Sequence, residues 1–365
     1  MLDTVGQMLG GLFGRRRSSL AVPILDGVFK PNNLLEEAEV LAERPGLEDM
    51  AAGPDGQLYL ACGAEVLALG ADGALSVVES FDAPVTALAV LGDGRRAVAL
   101  GDRVVISGGA APVTEAAGKP LRAVTALSVT PAGRLLICDA SARHGCDGWR
   151  HDLMTKGATG RLLSLDPATG AAEVLQSGLA WAYGAHCEPG GGVLISESWR
   201  HRLRLAGKGD AMGELPGYPA RITATADGGF WLSLFAARMQ IVEFVLSETD
   251  FRREMMATVD PKYWISPAYS SGHDFLEPLQ SGGVKQMGIL KPWAPPRSYG
   301  LAVRFDAQRK PLMSMHSRVG GENHGIVTVL ERGEQVLALS KGAGRLLRLD
   351  AGAIRAANAI GGARQ

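Results

Sequence analysis

The chain has no apolar run approaching the ~20 residues that a membrane-spanning helix needs. It has almost no excess charge either: 37 Lys and Arg stand against 38 Asp and Glu. The basic residues are dispersed among the acids, which excludes a nucleic-acid partner held by a basic face. Cysteine is sparse. Cys62, Cys138, Cys146 and Cys187 show no CxxC and no zinc-ligand spacing, so they read as buried free thiols in a reducing, cytoplasmic setting, with export left open.

The first thirty residues also lack a basic stretch ahead of their apolar part, which Gln7 and several glycines interrupt, so a secretory signal is not supported. Arg15-Arg16-Arg17 ahead of Leu20-Ala21-Val22 has some of the look of a twin-arginine signal, but the apolar run is short and ends at Pro23. Residues 1–30 are read as a mobile leader. The alternative is peripheral membrane contact through residues 1–20, using Leu9, Leu12, Phe13 and the arginines.

What the chain does have is turn chemistry at regular intervals. Six segments align on their turns: LEDMAAGPDG from Leu47, VTALAVLGDG from Val85, VTALSVTPAG from Val124, AYGAHCEPGG from Ala182, PARITATADG from Pro219 and VTVLERG from Val327. A period of roughly 38 residues, with insertions discounted, suits four-stranded propeller blades. The expectation is therefore an all-β, six-bladed β-propeller over residues 31–352. Helical or loop insertions fall in blade three (about 141–159) and blade five (about 245–297), and 353–365 form a C-terminal tail. EEAEVLAE, from Glu36, reads locally as a helix, but the ring needs it as the outer strand of the last blade, joining the chain ends.

Position eight before each turn glycine selects Glu48, Thr86, Thr125, Tyr183 and Ala220, and alignment adds Thr328. These six are expected to begin the innermost strands and to ring the central channel, with Arg221 beside them. Glu48, Tyr183 and Arg221 are the candidate catalytic group. Thr86, Thr125, Ala220 and Thr328 are candidate substrate contacts, joined by Trp149 and His151 from the blade-three insertion. That insertion also carries His144, Cys146, Asp147 and Asp152, whose spacing fits no established metal site. His186 reads as a core histidine near Glu188. In the blade-five insertion, Phe244, Leu246, Phe251 and Met255 have helical spacing, and Tyr263, Trp264, Phe275, Leu276 and Trp293 supply aromatic and apolar material for a cap over the channel or for edge packing.

Gly160-Arg161-Leu162-Leu163 with Asp166, Glu197-Ser198-Trp199-Arg200-His201-Arg202, Leu215-Pro216-Gly217-Tyr218-Pro219 and Gly228-Gly229-Phe230-Trp231 give the chain a family resemblance. It resembles the strictosidine synthase-like propellers, the group that includes the adipocyte plasma membrane-associated protein and is related to gluconolactonases and paraoxonases. The wider family implies a central calcium held by one glutamate and several Asn or Asp. Only Glu48, in its GLED context, matches, because Thr125, Tyr183-Gly184 and Ala220-Arg221 stand where the other ligands belong. The resemblance also implies a proton-moving glutamate in the last blade for strictosidine synthesis. Thr328 stands there, and a threonine hydroxyl is no general base near neutral pH; Glu322, His324 and Glu331 are only neighbours in sequence. The expectation is a hydrolase-type enzyme for an ester, lactone or related carbonyl compound, with a metal-free central site and no cofactor. The alternative is a non-catalytic propeller binding a small hydrophobic ligand or a protein partner.

Overall fold

The computed structural model describes residues 22–109, 111–270, 284–286, 289–291 and 297–362. Its first strand, β1 (Glu39–Glu43), is set aside by the chain until the end. Blade one is β2 (Leu47–Ala52), β3 (Leu58–Cys62), β4 (Glu65–Leu69) and β5 (Leu75–Ser80). Blade two has three strands, β6 (Ala87–Val90), β7 (Arg96–Ala99) and β8 (Val104–Ile106). A Val104–Val113 bridge extends its edge, and a short hairpin follows, β9 (Glu115–Ala116) with β10 (Lys119–Pro120).

Blade three is β11 (Val124–Val129), β12 (Leu135–Asp139), β13 (Gly160–Leu165) and β14 (Ala172–Leu179). Blade four is β15 (Ala182–Cys187), β16 (Val193–Glu197), β17 (Arg202–Leu205) and β18 (Gly209–Met212). Blade five starts with β19 (Gly217–Ala224) and β20 (Phe230–Ala237). After an insertion holding the pair β21 (Val284–Gln286) and β22 (Ile289–Lys291), it resumes with β23 (Leu301–Phe305) and β24 (Pro311–His316). Blade six is β25 (Ile326–Arg332), β26 (Gln335–Ser340) and β27 (Arg345–Asp350), with β1 antiparallel on the outside.

That last pairing closes the ring. Glu39 lies opposite Arg348 and Glu43 opposite Arg345, each pair also joined by an ion pair. The local helical tendency of EEAEVLAE yields to a ladder that covers the open edge of β27. The first strands β2, β6, β11, β15, β19 and β25 are neighbours around the channel. Between the blades lie mainly aliphatic layers, such as Leu127, Leu135, Ile137 and Leu163.

The insertions leave their blades at the channel-mouth end. In blade three, residues 140–159 form a loop and the helix α1 (Trp149–Met154). In blade five, the excursion begins directly after β20, with α2 (Gln240–Ser247) and α3 (Thr249–Thr258) separated at Glu248. Phe275, Leu276 and Trp293 lie outside the described residues. So do residues 1–21, which include the stretch 1–20 whose alternative reading was membrane contact. Residues 22–30 carry a turn at Gly27–Phe29 docked on blade five, where the Ser314 hydroxyl donates to the Val28 carbonyl at 2.5 Å. At the other end α4 (Ala351–Gly362) follows β27 and buries Ile354 beside Leu35 and Trp231. All four cysteines are free, Cys62 and Cys138 buried, Cys146 and Cys187 half-buried. Among the described residues, no helix is long and apolar enough to cross a membrane.

Candidate functional site

The hub of the propeller is a guanidinium. Arg221, on β19, is 4% exposed and reaches across the channel to three other blades. Its Nη1 donates to the Glu48 carbonyl at 3.0 Å, and its Nη2 donates to the carbonyls of Thr86 at 2.7 Å and Thr125 at 2.9 Å. Its Nε makes an ion pair with Asp49 at 3.1 Å without hydrogen-bond alignment. The Tyr183 ring lies 5.3 Å from its Cζ. A planar, permanently charged fork suits several oxygens lying in different directions.

Asp49 ties the same layer together. Its Oδ1 accepts from the Met50 amide at 2.8 Å and the Thr328 hydroxyl at 2.7 Å, and its Oδ2 accepts from the Leu88 amide at 2.9 Å. Burial pushes its carboxyl above the ordinary value; Arg221, Thr328 and the amides pull against this without cancelling it. Burial pulls the Arg221 guanidinium down, but Asp49 and its neighbours outweigh it and its charge is held more firmly.

On the mouth side of this layer, Glu48 meets a lysine. Lys341, in the turn between β26 and β27, places Nζ 2.5 Å from Glu48 Oε2 and 4.4 Å from the Tyr269 ring centroid. The second Glu48 oxygen is 3.7 Å from Arg221 Nη2. Burial lowers the Lys341 ammonium, yet Glu48 more than compensates and its pKa is raised. Tyr269, brought in by the blade-five insertion, shares a hydrogen bond of 2.8 Å with the Tyr183 hydroxyl. Burial drives both phenols up, so they stay neutral and serve as hydrogen-bond groups.

Aromatic walls surround these four side chains. Trp149 stands 5.6 Å from Tyr269, 6.0 Å from Phe235 and 6.1 Å from Trp199, between ring centroids. The Trp199 indole donates to Asp152 at 2.9 Å, and Ser141 donates to the other Asp152 oxygen at 2.6 Å, latching the blade-three insertion to blade four. Cys146 also sits here, its thiol pushed up to about 12 by burial, which leaves little thiolate for nucleophilic work. Beyond Arg221 the channel opens the other way into a cavity of about 460 Å³ with apolar walls that include Leu88, Leu127 and Ile222.

The structure brings Glu48, Tyr183 and Arg221 together and gives the threonines a different task. Thr86 donates to the Val124 carbonyl and Thr125 to the Ala182 carbonyl, both at 2.6 Å, so each hydroxyl fastens its blade to the next. Thr328 is fully engaged with Asp49, and the alignment that placed it in the ring is one residue late. In the strand pairing Glu48, Thr125 and Tyr183 are the skipped residues of bulges, and in β25 the skipped residue is Val327. Ala220 is fully buried, with its carbonyl bound by Ser196 at 2.7 Å. His151 is exposed, stacked on His144 at 6.1 Å and edge-on to Trp264 at 4.7 Å, away from the hub. His186 packs on Phe230, Glu188 pairs with Arg309, Glu322 with Arg345 and Glu331 with Arg304, while His324 bonds Ser298.

Asp49, Lys341 and Tyr269 went unread in the sequence. Asp49 had a signal, being a second carboxylate in the same GLED segment, whereas Lys341 was hidden in a Ser-Lys-Gly turn and Tyr269 in a long insertion.

A calcium ion at the hub, which the wider family implies, does not fit these residues. Hard cations need several free oxygen ligands. Here the converging carbonyls hold Arg221, Asp49 is saturated by donors, and Glu48 is paired with Lys341. Among the described residues, no group of three or more His, Cys, Asp and Glu side chains is arranged to hold a metal.

A second buried charge cluster anchors α2 next to the wall. Glu243 lies 3.2 Å from His201 Nε2 and 3.3 Å from Arg238. Burial raises Glu243, but His201 and Arg238 outweigh it, and the carboxyl titrates at about 2 instead of 4.5. A depressed carboxyl adds stability above its unfolded pKa and loses it as pH falls through the folded one. Denaturation measured from about pH 5 down to about pH 2 should therefore show wild type losing about 2–3 kcal/mol of its advantage over Glu243→Gln. A gap between the two that stays constant over that range would remove the cluster's assigned role.

Two family models match the chain: strictosidine synthase-like, N-terminal, over residues 27–64, and strictosidine synthase over residues 125–204. Among curated relatives, an adipocyte plasma membrane-associated protein from Salmo salar is 28% identical over 59% of this chain and 60% of its own. Strictosidine synthase-like 10 from Arabidopsis thaliana is 32% identical over 38% of this chain and 40% of its own. The matched part thus spans about half the length of these relatives. A gluconolactonase structure from Xanthomonas campestris superposes with a TM-score of 0.54 at 15% identity, covering 85% of this chain and 88% of its own. The calcium-binding protein regucalcin from Agrobacterium tumefaciens gives 0.52 at 12% identity, covering 86% and 92%. At that identity the two structures speak for the fold alone. With its blades closed by β1, the chain is a six-bladed β-propeller that resembles the strictosidine synthase family over residues 125–204, in blades three and four.

Proposed function

We propose that this propeller is a small-molecule enzyme of hydrolase type, acting on an ester, lactone or related carbonyl compound without a hub metal. The observation that carries the reading is the Glu48–Lys341 pair at 2.5 Å, partly open to the mouth under aromatic walls and over a fixed guanidinium. The fold shared with a gluconolactonase supports it by analogy only.

In this reading the substrate carbonyl oxygen takes a hydrogen bond from the Lys341 ammonium, displacing part of its contact with Glu48. The freed Glu48 carboxylate removes a proton from water as the water oxygen bonds to the carbonyl carbon. The carbonyl π electrons move onto oxygen, where Lys341 and the neutral tyrosine hydroxyls stabilise the charge. Collapse breaks the bond to the leaving oxygen, which takes the proton from Glu48, giving acid and alcohol. Arg221 holds the Glu48 backbone and so fixes where its carboxylate can swing.

A panel of lactones and aryl esters, followed by acid release in calcium and in chelator, tests this. Turnover should be the same in both, and Glu48→Gln should lower kcat/KM by about 10²–10⁴-fold. Absence of turnover across the panel, or a Glu48→Gln protein as active as wild type, would overturn the reading. The close pairing of Glu48 with Lys341 also suits a non-catalytic pocket that holds a small hydrophobic ligand under the aromatic wall. Ligand-induced stabilisation without turnover would select that second reading.

A further inference from the structure

We propose that the Arg221 guanidinium is a tethered hub cation: it occupies the point where oxygens from blades one, two and three converge and orders them without a metal. Nη2 marks that point. The Thr86 carbonyl is 2.7 Å from it, the Thr125 carbonyl 2.9 Å and Glu48 Oε1 3.7 Å, while Asp49 lies 3.1 Å from Nε.

Three carbonyls and two carboxylates around one buried positive charge are the ligand types a hard divalent cation selects, held beyond coordination distance. Carbonyls aimed inward from separate blades repel one another unless a positive charge lies between them, and here that charge is covalently attached to β19. Folding and hub order are therefore linked through one side chain, where a dissociable ion would link them to its concentration.

Removing the guanidinium leaves these oxygens facing one another with no positive charge between them, a place that a divalent cation is expected to fill. Arg221→Ala opens the space and leaves the carboxylates without their central charge, so the variant should melt lower than wild type and recover by about 3 °C or more in millimolar calcium. Terbium luminescence should report direct binding in that variant, and Arg221→Ala with Glu48→Gln should lose it. Arg221→Met fills the space without charge, and calcium should not restore it.

Wild type should melt at the same temperature in calcium and in chelator. The proposal is overturned by a wild-type calcium shift that Glu48→Gln abolishes, or by an Arg221→Ala protein indifferent to calcium. If Arg221→Ala does not fold unaided, refolding decides: recovery with calcium supports the tethered cation, and equal failure in calcium and chelator overturns it. None of these readouts depends on turnover, so they stand apart from the hydrolase reading.

Discussion

Replacing Asp49 with alanine is expected to destabilise the propeller by about 3–5 kcal/mol, the usual cost of leaving a buried charge without its partner. The carboxylate is 1% exposed and links four blades: its own, blade two through Leu88, blade six through Thr328 and blade five through Arg221. Alanine removes all three links to the other blades and leaves the Arg221 Nε side of the guanidinium facing no anion. Asp49→Asn keeps the volume and an acceptor oxygen, so it should cost less, about 1–3 kcal/mol. Urea denaturation of the three proteins checks the order. A loss below about 1 kcal/mol for Asp49→Ala would mean that the hub is held by blade packing and that its hydrogen bonds add little.

Much of the fold was legible because turn glycines are forced by backbone geometry. Gly56, Gly94, Gly133, Gly191 and Gly228, the five residues used to count the ring positions, all have φ between 77° and 86°. Side chains other than glycine are strained there, so the turn leaves a mark in sequence that survives divergence of the strands. The closing strand was legible for a different reason. A ring of blades has one exposed edge until the chain ends meet, and EEAEVLAE was the segment available to cover it.

The site was harder to read because two physical signals failed. Counting from the turn assumes regular alternation, but the inner strands are bulged near their starts, and a bulge changes which residue faces the channel. The count still found Glu48, Thr125 and Tyr183, which occupy the bulges, but it passed over Asp49, and alignment of the last segment selected Thr328 where β25 has Val327. Lys341 and Tyr269 come from different loops, hundreds of residues from Glu48 in sequence, and meet it only when the ring has closed. A turn lysine and a loop tyrosine have no periodicity to mark them. Arg221 was noticed beside the ring, but its reach to the carbonyls of three other blades depends on backbone positions that no side-chain pattern encodes.

That reach depends in turn on a close approach between blades four and five, and Gly184 is where it is most exposed to test. A Cβ added at Gly184 would lie 2.8 Å from the Ala220 carbonyl oxygen, 2.8 Å from Arg221 Cα and 2.8 Å from the Ile222 amide nitrogen. All three are backbone atoms of β19, so no side-chain rotation relieves the contact. Gly184→Ala must push β15 and β19 apart or shift the hub arginine, and it is expected to cost about 3 kcal/mol. Gly190→Ala, in the turn at the far end of the same strand, is the matched control. Its added Cβ meets nothing within 4 Å, so it should stay within about 0.5 kcal/mol of wild type. Thermal or urea melts of the pair separate steric closeness from the general effect of exchanging glycine for alanine. If the two variants are equally stable, the blades have room to spare at Gly184 and the Arg221 hydrogen bonds tolerate movement; a large difference places the tightest constraint on the hub in the strand next to its arginine.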